Sequence, residues 1–155
     1  MRIKISGAAV LVLIAVATVL PSPFGKARQV QPGGALLGGS HADPTLALVR
    51  RACINCHSNE TQWPWYSKVA PVSWMVERDV LNGRKFMNLS RWPDYGPEGQ
   101  SQILKLIPQQ LETGKMPPSR YRAIHPEARL TQVERNYLAN WAGREVQRLG
   151  NSVQH

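Results

Sequence analysis

Cysteine is scarce: the 155 residues hold only two, Cys53 and Cys56. A four-ligand zinc site would therefore need two of His41, His57, His125 and His155, which show no paired ligand spacing. A thioredoxin-like βαβ pattern is missing too, so a redox dithiol has no scaffold. No stretch alternates convincingly between apolar and polar residues as a strand would, and no internal repeat is present. Acidic residues are few, 10 against 19 Lys and Arg, a net charge of +9. That balance suits an acidic protein, a nucleic acid or an anionic membrane surface. The basic residues never form a consecutive run, which disfavours a nucleic-acid groove.

One long apolar run is present. Arg2 and Lys4 precede residues 5–20, in which only Ser6, Gly7 and Thr18 are not plainly apolar, and this reads as an export signal. Sixteen helical residues would rise about 24 Å, short of a hydrocarbon core of about 30 Å, but continuing to Phe24 reaches a spanning length. The only A-x-A pattern, Ala15-Val16-Ala17, lies inside the run. We therefore expect an uncleaved signal anchor or transmembrane helix over residues 1–24. The remainder would lie on the periplasmic side of the membrane, or be secreted there if the signal is cleaved. Residues 25–42, rich in Pro, Gly and Gln, read as a flexible linker. Residues 43–150 form the folded domain, and 151–155 a disordered tail.

Within that domain the signals are helical. Asp43-Pro44 can open a helix that runs to Cys53. A second is expected over 71–82, ended by Gly83. A third lies between Tyr95 and Thr113, kinked or divided at Pro108 and stopped by Gly114. Thr131-Gln132-Val133-Glu134 is a capping box opening a last helix with Val133, Tyr137, Leu138, Trp141, Val146 and Leu149 on or near one face. The expected fold is all-α, with long loops that need something in the core to pack on.

Cys53-Ile54-Asn55-Cys56-His57 has the spacing of covalent haem attachment: two thiols placed to add to two vinyl groups, and an imidazole one residue on to bind iron. The expected cofactor is one haem c. For the other axial position Met116 is the leading candidate, because it follows Gly114 in a short loop fixed by Pro117 and Pro118. Met75 and Met87 read as core filling. His125 is the runner-up, and His41 and His155 are weak. Trp63, Trp65, Tyr66, Trp74 and Arg84 are candidate haem-pocket residues, as likely to serve packing; Asn88 and Trp92 carry the same ambiguity.

Taken together, Cys53-x-x-Cys56-His57-Ser58-Asn59, Trp63-Pro64-Trp65-Tyr66-Ser67, Ala70-Pro71-Val72-Ser73-Trp74, Gly83-Arg84, Asn88-Leu89-Ser90, Trp92, Gly114-x-Met116-Pro117-Pro118, Tyr121 and the run His125-Pro126-Glu127-Ala128-Arg129-Leu130-Thr131 resemble the small single-haem proteins of the haem-binding domain family. The resemblance covers about residues 46 to 145. It implies a cytochrome c-like helical fold with Met116 as distal ligand. A departure stands at Glu77-Arg78-Asp79-Val80, where relatives often carry a histidine before Gly-Arg.

The function expected is electron transfer through a haem ligated by His57 and Met116, a carrier and not an enzyme. The alternative is a peroxidase-like haem enzyme or a gas or redox sensor with an open distal position. No Arg/His pair at a recognisable distal spacing supports a peroxidase. Expected partners are a redox protein, for which the basic surface suits an acidic one, the cytochrome c maturation machinery and the membrane, with no nucleic acid.

Overall fold

The computed structural model describes residues 6–19, 22–29, 34–38 and 44–152. Among these every regular element is a helix or 3-10 turn and no strand occurs, as the lack of alternation predicts. Asp43, His41 and His155 lie outside the described residues, so the first helix is seen only from Pro44.

The apolar run forms α1 (Gly7–Val19), 13 residues long. At 1.5 Å per residue it spans about 20 Å, well short of a hydrocarbon core of about 30 Å. It is not extended through residue 24. The chain turns at Ser22, whose hydroxyl accepts the Phe24 N–H at 3.1 Å, and enters the 3-10 turn Gly25–Ala27. Among the described residues no helix is long and apolar enough to cross a membrane. This overturns the expected signal anchor and transmembrane helix, the membrane as a partner, and the anchored periplasmic location that rested on them.

The stretch read as a linker is packed in its described parts. Ala27 is fully buried and Leu36 nearly so. Arg28 donates to the Glu77 carboxylate at 2.7 Å and to the Ser67 carbonyl, and lies 4.2 Å from the Trp63 ring centroid. Ser22 donates to the other Glu77 oxygen. Glu77 is only 3% exposed, so these donors are what lets a carboxylate sit there. Residues 22–29 thus form a strap closed over one helix of the domain.

That helix is α4 (Val72–Phe86). Before it come α2 (Pro44–Ala52), the short α3 (Ile54–His57) and a 3-10 turn, Trp65–Lys68. After it come a 3-10 segment (Leu89–Tyr95), α5 (Gly96–Glu112), α6 (Ser119–Ile124) and α7 (Gln132–Ser152). The core joins Val49, Ala52 and Ile54 to Leu89, Trp92, Leu104, Leu111, Leu130, Leu138, Ala142 and Leu149, with α5 and α7 as the most extensively packed pair.

Three boundaries differ from the sequence reading. α4 does not end at Gly83 but runs a turn further, because Gly83 is a contact point and not a stop. α5 is not divided at Pro108: Leu104 and Leu111, seven residues apart on one buried face, hold both sides of the proline against the core. α7 reaches Ser152, inside the expected tail, and Val133 is 77% exposed instead of core-facing. The capping box forms as read: Glu134 N–H donates to Thr131 Oγ1 at 3.2 Å, and Thr131 N–H to Glu134 Oε2 at 2.7 Å. Gly114 adopts φ +64, the left-handed turn that ends α5.

Candidate functional site

The motif occupies one turn. Cys53 caps α3, and the N–H groups of Cys56 and His57 both donate to its carbonyl, at 3.2 and 3.0 Å. The two thiols are not joined to one another. Behind them α4 comes so close that a Cβ built on Gly83 would overlap the Cys56 carbonyl oxygen and stand 2.9 Å from its carbon. Only glycine permits that approach.

The imidazole of His57 is oriented from the end of α4. Its Nδ1–H donates to the Met87 carbonyl at 3.1 Å. The Gly83 carbonyl is a second backbone acceptor beside the ring, and with Nδ1 engaged by Met87 it is Nε2 that could offer a lone pair to a metal. Burial holds the imidazole below its usual pKa, so it is neutral at physiological pH, as a ligand must be.

The Met87 carbonyl is fixed by a net of short polar side chains. Asn88 Oδ1 accepts the Ser90 N–H at 3.1 Å, Asn88 Nδ2 donates to Asn59 Oδ1 at 2.8 Å, and the Asn59 N–H donates to Ser90 Oγ at 3.0 Å. The fully buried Ser58 donates to the Ile54 carbonyl at 2.8 Å. The segments 57–59 and 88–90 therefore lock the loop that aims His57.

Burial pushes the Cys53 thiol up to about 12, with Cys56 beside it adding to the effect. Burial likewise raises Cys56 to about 11; Asp79 raises it further, and Arg120 and Arg84 oppose. Both stay protonated at neutral pH, unlike the depressed thiol of a nucleophilic redox dithiol. Among the described residues no three His, Cys, Asp or Glu side chains gather as a metal site.

Met116 lies beyond Gly114, with its N–H donating to the Gln110 carbonyl at 3.1 Å and its side chain 39% exposed. Its segment is tied to the motif by side chains. Asn55, inside the cysteine pair, donates to the Tyr121 hydroxyl at 2.8 Å, and Arg120 donates to Asp79 of α4 at 2.7 Å. Tyr66 donates to His125 Nε2 at 2.5 Å, and His125 Nδ1–H to Glu127 at 2.7 Å. With both ring nitrogens engaged, His125 has no lone pair to offer iron in this arrangement.

Of the pocket candidates, Tyr66 faces this cluster. Trp63 stacks under Arg28, Trp74 is half-buried on α4 and Trp65 is 78% exposed. Arg84 braces loops, donating to the carbonyls of Ser58 at 2.8 Å and Ala27 at 2.6 Å and to Thr61 Oγ1 at 2.8 Å. Trp92 is buried in the core. The sequence reading missed Asn55, Asp79, the Met87 carbonyl as the acceptor that orients His57, and the pairing of Tyr66 with His125. Only the invariable need of a ligating imidazole for a second partner could have signalled Met87.

Residues 15–144 match the family model described as a haem-binding domain. The chain belongs to the haem-binding domain family. No curated protein and no solved structure gives a match. The match takes in the end of α1, the residue 22–29 strap, α2 to α6 and most of α7. The donor set fits the family's group: two unjoined thiols and an aimed imidazole on one turn, with Met116 a few residues before Tyr121, whose hydroxyl accepts from Asn55 of that turn.

Proposed function

We propose that this chain is a one-electron carrier of cytochrome c-like build, holding one haem c through Cys53 and Cys56 with His57 and Met116 as axial ligands. The single observation that supports it best is the His57 imidazole, held through Nδ1 by the Met87 carbonyl, on the same turn as two unjoined thiols. Bound haem would supply an iron that shuttles between ferric and ferrous states. The chain's part is to add two S–H groups across two vinyls, to fix one imidazole and one thioether, and to keep them in place through the redox change. An arrangement with both axial positions filled needs no substrate pocket, which favours a carrier over a catalyst.

The test is spectroscopic. The holoprotein should show the pyridine haemochrome of a haem with two thioether bonds and, when ferric, the far-red sulfur-to-iron charge-transfer band. Met116→Ala should lose that band and gain rapid carbon monoxide binding when ferrous. A wild-type protein without the band, binding carbon monoxide rapidly, would show an open iron and favour the enzyme or sensor reading. Cys53→Ser and Cys56→Ser should each leave a single thioether, shifting the haemochrome maximum.

A further inference from the structure

The polar cluster that joins Tyr66 to residues 119–127 is not explained by haem attachment. Tyr66 lies in the 3-10 turn Trp65–Lys68, roughly sixty residues before its partner His125 at the end of α6. A single chain of bonds crosses between them: the Tyr66 hydroxyl donates to His125 Nε2 at 2.5 Å, and His125 Nδ1–H donates to Glu127 at 2.7 Å. The carboxylate fixes the tautomer that leaves Nε2 as acceptor, so the three groups act as one unit. Tyr121 adds a second connection. Its ring stacks on His125, with centroids 4.2 Å apart and planes 19° apart, while its hydroxyl accepts from Asn55 at 2.8 Å.

The placement of this unit matters. α6 has six residues, none of them buried, so it has no apolar face to seat it. Met116 is separated from it only by two prolines. Pro117 is buried beside Met116, but α6 beyond it is seated against the motif by side-chain hydrogen bonding and one stacked ring pair.

We propose that Tyr66, His125 and Glu127 form a clasp that positions the Met116 segment, so that breaking it opens the sixth coordination position of the iron to external ligands. They are positioning residues and touch no iron themselves. This rests on the haem ligation proposed above.

The experiment uses the holoprotein with Tyr66→Phe, which removes one hydroxyl, His125→Ala, and His125→Gln, whose amide can both accept from Tyr66 and donate to Glu127. Cyanide is titrated into the ferric proteins while the sulfur-to-iron band is followed, and helical circular dichroism checks the fold. Losing a hydrogen bond within this chain should raise apparent cyanide affinity about tenfold in Tyr66→Phe and at least as much in His125→Ala. The band should weaken in parallel, and His125→Gln should restore most of the wild-type behaviour. Wild-type cyanide affinity and an unchanged band in both Tyr66→Phe and His125→Ala overturn the clasp. So does an equal opening in His125→Gln, which would make it a matter of packing. If the wild type itself lacks the band, the ligation by Met116 fails, and the clasp with it.

Discussion

Around His57 the chain is fixed by close backbone contact and a buried polar net, whereas around Met116 the side chains that fix it meet nearer the surface. On the first side Gly83 lets α4 touch the Cys56 carbonyl, and a buried net of Ser58, Asn88 and Ser90 aims the Met87 carbonyl at the imidazole. On the second, Met116 is 39% exposed and α6 buries no residue. Packed backbone has few alternative arrangements, while a segment whose one buried anchor is Pro117 and whose following helix is held by a handful of polar bonds can be released at lower cost. One proposed ligand is thus built in, and the other, on the reading proposed above, is held by a latch.

The sharpest way to break that contrast is Gly83→Ala. The added methyl meets backbone, which cannot rotate aside, so α3 and α4 must separate. Overpacking of this kind should cost about 3 kcal/mol, read as a lowered midpoint in denaturant unfolding of the holoprotein. A change below about 0.5 kcal/mol would mean the two helices are free to shift.

Position 83 also shows where sequence reading stopped. A glycine late in a helical stretch looks like a terminator, and nothing local distinguishes that from a contact glycine; the difference lies in Cys56, far off in the chain. The capping box and the all-helical class were legible because short-range chemistry and periodicity encode them, as was the grouping of Cys53, Cys56 and His57 on one turn. The strap was not: Pro, Gly and Gln resemble a tether unless Arg28 is known to meet Glu77, a partner 49 positions away. The apolar run was misread as an anchor because its hydropathy continues to Phe24, whereas the helix ends at Val19.

Next in size is Glu77→Ala. It leaves Arg28 without its carboxylate and Ser22 without its acceptor, at a cost of about 2 kcal/mol given that Arg28 is partly exposed. The strap should become susceptible to limited proteolysis after Arg28, while the sulfur-to-iron band stays as in the wild type. Loss of the band instead would make the strap part of the Met116 side.

Thr131→Ala removes half of the capping box at the start of α7 and should cost about 1 kcal/mol. Its partner Glu134 adds a pH dependence. Hydrogen bonds from Thr131 N–H and from Arg51 hold the Glu134 carboxyl below the usual carboxylate range. A group depressed on folding stabilises the fold above its unfolded pKa and loses that contribution as pH falls through its folded value. The stability gap between wild type and Glu134→Gln should therefore be present at neutral pH and close in acid. A gap that widened in acid would contradict the assignment.

The smallest effect belongs to Arg120→Ala, and it bears most directly on the latch. The Arg120 guanidinium meets Asp79 at 2.7 Å but is 54% exposed, so water and salt screen the pair and its removal should change stability by about 0.5 kcal/mol or less. If the Met116 segment is held mainly by the Tyr66, His125 and Glu127 clasp, cyanide affinity should rise less than twofold in Arg120→Ala at moderate salt, and the difference should vanish at high salt. A larger, salt-insensitive rise would place the hold on Met116 at Asp79, on the packed α4 side, and the contrast between built-in and latched ligands would give way to a single rigid frame.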